Sequence, residues 1–222
     1  MKLDLLKKSR FLFPGIISFI LGYVILKNQI PDSNPFENYV YYLGCIIISA
    51  IYYVFNIRDI IWEHIIKKRV IDRYIAETID NIYNKKYISP NINCKFVLDK
   101  LFTKKVIASK KQKRVFFNCL DNSKNQSLKE KSQIIMNNGV ILTCLIDTQI
   151  ITFFAIIILV VLKIINNTLS IYSRLLTFIG IVFILGILII FCTKKHLILS
   201  NDQLEIINED KACREILNDF FK

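Results

Sequence analysis

Residues 175–195 read LLTFIGIVFILGILIIFCTKK: eighteen residues from Leu175 to Cys192 carry no charge, and Lys194 and Lys195 close the run. As a helix this run is about 27 Å long, close to the ~30 Å of a bilayer's hydrocarbon core. A core helix of a soluble protein keeps a polar stripe for water. This stretch has none, and it reads as a membrane span.

Three further runs share the pattern. Phe11 to Leu26 lies between Lys7-Lys8-Ser9-Arg10 and Lys27. Pro14 falls in its first turn, where a missing N–H costs little. The run lacks a small-x-small cleavage site after it, which argues against a secretory signal. Tyr39 to Ile57 is bordered by Tyr39, Tyr41 and Tyr42 at one end and by Tyr52, Tyr53 and Trp62 at the other. Rings at both ends match the aromatic belts of a span. The last run lies between Val140 and Ile165. The expected fold is an all-α membrane protein of two transmembrane helical hairpins, four spans in all, with a small, mainly helical and basic cytoplasmic region. The layout is a tail (1–10), hairpin one (11–57), the basic region (58–139), hairpin two (140–192) and a C-terminal tail (193–222).

Composition agrees with this reading. The chain has 222 residues, 53% of them hydrophobic, and its mean hydropathy is +0.41. The net charge of +12 would suggest nucleic acid in a soluble protein. In a membrane protein it first reports topology, since Lys and Arg are retained on the cytoplasmic side. Dense basic clusters precede span one, follow span two and follow span four. The two short loops carry only Lys27, and Lys163 with Arg174. An even number of spans puts every dense cluster on one side, so both termini are expected in the cytoplasm.

Residues 58 to 139 hold eighteen Lys or Arg against eight Asp or Glu. Ile71, Tyr74, Ile75, Ile79 and Ile82 recur at helical spacing and make one apolar face. No breaker stands between Ile57 and Asp59, so span two is expected to run straight into this helix. Ser89-Pro90-Asn91 is a stop, and a short apolar stretch follows from Phe96 to Phe102. Ser127 with Glu130, and Ser200 with Gln203, have capping-box spacing and mark expected helix starts. In the tail, Leu204, Ile207, Ala212, Ile216 and Phe220 suggest an amphipathic helix, preferred over a β-hairpin around Ser200–Gln203.

Candidate sites are few. Asp147 is the one acidic residue within reach of the bilayer, flanked by Cys144, Thr148 and Thr152. Inside the bilayer its carboxylate must meet water or a polar partner; at the surface it is an ordinary interfacial residue. Gly15, Ser18 and Gly22 in span one, and Cys45 and Ser49 in span two, are small enough for close helix packing. Lys110, Lys111, Lys113 and Arg114 form a basic cluster suited to anionic lipid or an acidic partner. Nucleic acid is the lesser alternative, because only Phe116 and Phe117 could stack on bases nearby. No H-E-x-x-H, G-x-S-x-G, P-loop or Rossmann pattern occurs. The sequence therefore implies no enzyme, metal or cofactor.

Its length, hairpins and compact cytoplasmic part resemble the small multi-spanning membrane proteins of bacterial antiviral defence systems. That resemblance implies a non-enzymatic membrane component, oligomeric with copies of itself, acting on or sensing the inner membrane with a cytoplasmic protein partner. The alternatives are a membrane scaffold that recruits a soluble protein, and a small transporter or channel using Asp147. A reporter placed after Lys222 or near Asn122 should read as cytoplasmic and one near Ser33 as external; a cytoplasmic signal at Ser33 contradicts four spans.

Overall fold

The computed structural model describes residues 13–18, 20–22, 35–103, 110–122, 125–165 and 172–221, with the side chains at 35–42, 45, 48, 60 and 61 left aside. The N-terminal tail, the Tyr39–Tyr42 belt, the Cys45 side chain and the loop at 166–171 lie outside this description. All regular structure among the described residues is helical. A short apolar helix, Phe13–Gly22 (α1), is followed by Pro35–Val54 (α2), Ile57–Ile61 (α3), a π-helical stretch Trp62–Asp72 (π1), Arg73–Tyr83 (α4), Cys94–Phe102 (α5), Lys110–Asn122 (α6), Gln126–Ile165 (α7), Tyr172–Glu209 (α8) and Lys211–Phe221 (α9).

The chain divides into two compact units. One comprises Met1–Asp59 and Leu142–Ile189, the other Ile60–Ile141 and Ile190–Lys222. In the first unit most large apolar side chains lie on the surface, among them Phe153, Phe154, Ile157, Leu176, Phe183 and Ile184. Only α7 and α8, at 40 and 38 residues, are both long and apolar enough throughout the description to cross a membrane. Each measures about 57–60 Å, twice the hydrocarbon thickness, so each runs well beyond any span it makes. The 20-residue α2 is diluted by Glu37, Asn38 and five tyrosines.

The second unit is an ordinary helical core. α4 packs on π1, α6 and α9, α5 on π1, and α6 on α9. Ile71, Tyr74, Ile75, Ile79 and Ile82 are all buried, as their spacing anticipates. Asn93 starts α5 by accepting a hydrogen bond from Phe96 N at 2.9 Å, a normal N-cap.

Several local expectations fail for identifiable reasons. Span two does not continue into the next helix: Asn56 takes a left-handed conformation at φ 48°, and its N–H closes on Tyr53 O at 3.0 Å. Asn tolerates this region better than most residues, and α2 ends at Val54 instead of Ile57. Neither capping box forms. The α7 helix starts one residue before Ser127, with the Asn125 side chain accepting from Ser127 N at 3.0 Å. Ser200 and Gln203 lie inside the unbroken α8. Gln203 Nε2 instead donates to Ser132 Oγ at 2.8 Å, a tertiary bond that a four-residue pattern does not reveal. The tail is helical, but a break at Asp210 resets its phase. Asp210 accepts from Ala212 N at 2.9 Å, Ala212 faces outward, and Cys213 and Leu217 are buried in its place.

Glu77 joins two elements by accepting from Arg73 Nε at 2.8 Å and from Lys100 on α5. Burial alone would raise its carboxyl, but these two cations outweigh that and hold it below the usual carboxylate range. A carboxyl depressed on folding stabilises at pH above its unfolded titration, and that stability is lost as pH falls through the folded value. The unfolding midpoint of the second unit should therefore fall on acidification below about pH 4.5. Glu77→Gln should flatten that part of the profile when thermal melts are compared from pH 6 to pH 3.

Candidate functional site

Two places gather the polar residues of interest, one in each unit. In the first, Asp147 of α7 is fully buried. Its Oδ1 accepts from Tyr52 Oη at 2.7 Å and from Arg58 Nε at 2.7 Å, and its Oδ2 pairs with Arg58 Nη2. Arg58 is itself 6% exposed. It donates through Nη1 to Tyr53 Oη at 3.2 Å, and its guanidinium lies 5.3 Å from the Tyr53 ring centroid. The fork geometry of Arg allows this two-point grip on a carboxylate. The turn at Asn56 makes it possible: by ending α2 and restarting the chain as α3, it brings Arg58 to the carboxylate that Tyr52 already faces.

Asp147 is thus buried within the protein and partnered at both carboxylate oxygens. Its neighbours on α7 are committed elsewhere. Thr148 Oγ1 donates to Cys144 O at 2.9 Å and Thr152 Oγ1 to Thr148 O at 2.7 Å. The stripe that looked polar in the sequence therefore spends its hydroxyl protons on its own helix. Among the small residues, Gly15 is buried, and Ser18 donates to Pro14 O at 2.8 Å. Ser49 is buried and its hydroxyl finds no partner among the described residues. Among the described residues, a side chain at Gly22 would meet nothing within 4 Å.

In the second unit, Lys110, Lys111, Lys113 and Arg114 occupy the first turns of α6. With Phe117 and Phe220 they line an open groove of about 570 Å3. Lys113 pairs with Asp72 at 2.7 Å, and Lys111 sits 4.9 Å from the Phe221 ring centroid. A second groove, of about 560 Å3, is lined by Tyr83, Lys85, Tyr87 and Arg214 among others. Nearby, Tyr74 and Tyr87 both donate to Asn201 Oδ1, at 2.5 and 2.9 Å, which anchors the end of α8 to α4 and the loop after it. Cys119 and Cys213 are buried face to face, each Sγ 3.8–3.9 Å from the other's carbonyl oxygen, and burial pushes both thiols up. Among the described residues no group of three or more His, Cys, Asp or Glu could hold a metal.

Arg58 was missed as a site residue in the sequence because it reads first as one of many topology-setting cations. The available signal was an opposite charge at the border of a neighbouring span. No protein-family model matches this chain, and no curated protein or solved structure matches it.

Removing one member of a buried pair leaves the other charged and unpartnered, at a cost of about 3–5 kcal/mol. Asp147→Asn should therefore lower the thermal midpoint and membrane yield sharply, as should Arg58→Met. The double variant Arg58→Met/Asp147→Leu should recover most of the loss. Measurement of all three in detergent gives the coupling energy, and additive losses would show that the pair does not act as a unit.

Proposed function

We propose that this chain is a non-enzymatic integral membrane component with four spans and cytoplasmic termini. In this reading the basic helical unit receives a cytoplasmic signal or protein partner, and the membrane unit responds. One observation carries it: α7 and α8 each continue without interruption from an apolar, outward-facing segment into the helical unit that bears the basic groove. Helices that only anchored a soluble domain would not need to build its core as well.

The two additional spans are supported by α1 and α2. Leu43, Ile46, Ile51 and Val54 on α2 are exposed, as lipid-facing residues would be. The buried pair supports the third span. Between Asp147 and Lys163 only fifteen uncharged residues are available, about 22 Å of helix and short of the ~30 Å needed. With Asp147 neutralised by Arg58, the run can start as early as Val140 and reach about 34 Å. Gly22, Gly44 and Gly180 have open space where a side chain would be. Such positions suit close approach of a second copy, in keeping with a homo-oligomer.

The layout resembles membrane components of bacterial antiviral defence, and we place the chain in that class. A scaffold that recruits a soluble protein is the second reading. A transporter centred on Asp147 is favoured least, because Tyr52 and Arg58 occupy both carboxylate oxygens. Reconstitution in liposomes separates these readings. A membrane effector should release a trapped ion-sensitive dye once its cytoplasmic partner is added. Recruitment of that partner without dye release favours the scaffold, and steady solute uptake by the wild-type chain with no partner added favours the transporter.

A further inference from the structure

The groove at the start of α6 has a composition that a purely electrostatic surface does not need. Four cations line it together with two phenylalanines, and no acidic residue is among its lining. Their charges are not equivalent. Lys113 is matched by Asp72 and Lys111 is engaged by a ring. Lys110 and Arg114 are both exposed and form no ion pair among the described residues. Beside them Phe117 is 55% exposed, and with Phe220 it gives the groove an apolar wall next to the cations.

The helix adds a cost. The first turn of α6 carries three lysines and no acidic residue, so positive charge is stacked on the positive end of the helix dipole. An anion relieves this repulsion and an apolar group covers the ring. A ligand that does both is anionic at one end and oily at the other.

We infer that this groove binds an anionic phospholipid, with Lys110 and Arg114 holding the phosphate and Phe117 and Phe220 contacting the glycerol and first acyl carbons. The inference goes beyond the reading given above by giving the groove a ligand of its own in the bilayer. It rests on the chain being a membrane protein, because the ligand is then always within reach. A free phosphate would use the cations and leave the phenylalanines idle. An acidic protein would favour a flatter and more evenly charged face.

The test uses the full-length chain in neutral detergent, with bound lipid counted by native mass spectrometry. Phosphatidylglycerol should bind and phosphatidylcholine should not. Lys110→Gln/Arg114→Gln should weaken phosphatidylglycerol about 30-fold, as expected for two basic residues near an anionic head group. Phe117→Ser should weaken it several-fold with the cations intact. Inorganic phosphate and polyglutamate, each at the lipid concentration, should fail to displace it. Equal phosphatidylglycerol binding by wild type and the double variant would overturn the proposal, because the lipid would then sit elsewhere on the protein. Displacement by phosphate would overturn it in favour of a soluble anion, and displacement by polyglutamate in favour of an acidic partner. The competition arms need only the wild-type chain, so they decide the matter even if a variant folds poorly. Reporters after Lys222 and near Ser33 test the membrane reading separately, since lipid selectivity in detergent does not depend on topology.

Discussion

The first unit is organised around one ion pair. Arg58 and Asp147 are both withdrawn from solvent, and either alone would carry a desolvation cost of several kcal/mol. Together, with the Tyr52 hydroxyl, they use both carboxylate oxygens. Such a pair need not be more stabilising than well-packed apolar residues of the same volume. Its effect is on specificity. A helix can turn about its axis at little cost when its surface is uniformly apolar, but only one rotation of α7 directs Asp147 at Tyr52 and Arg58. The pair therefore sets the register between α2 and α7.

The same pair explains why the turn at Asn56 matters. Had α2 continued as a helix, Arg58 would lie 1.7 turns beyond Tyr52 on a different face. By ending at Val54 and passing through a left-handed Asn56, the chain lets two side chains six residues apart reach one carboxylate. The break is a local cost with a tertiary reason, and it lies beside the most demanding polar contact of the unit.

What the sequence made legible was whatever depends on composition or on short periodicity. The uncharged run from Leu175 to Cys192 and the face formed by Ile71, Tyr74, Ile75, Ile79 and Ile82 are properties of nearby residues, and the structure has the corresponding helices. The candidate site was half legible. Asp147 stood out because a carboxylate is rare in an apolar run, whereas its partner lies 89 residues away. Tyr74 and Asn201, 127 apart, and Cys119 and Cys213, 94 apart, are equally silent in the sequence. The Ser127 box marked a helix start to within one residue, whereas the box at Ser200 misled for the complementary reason. Ser200 and Gln203 have the right spacing, but once Gln203 is bonded to Ser132 there is no helix end for them to cap.

The two units also follow opposite solvent rules. In the second, Val70, Ile79, Leu128, Leu197, Leu204 and Ile207 are buried, and charge is kept off the core except at Asp72 and Arg73, each of them paired. In the first, Asp147, Arg58 and Thr152 are buried while Phe153, Ile157, Phe183 and Ile184 face out. Both patterns occur along the same two helices: Leu128 and Phe153 belong to α7, Phe183 and Leu204 to α8. In water alone, the outward apolar segments would form a patch far larger than a soluble monomer keeps. In lipid alone, the charged exterior of the second unit would be prohibitively costly. The outward-facing apolar segments of α7 and α8 are thus the same stretches that are long and apolar enough to cross a membrane.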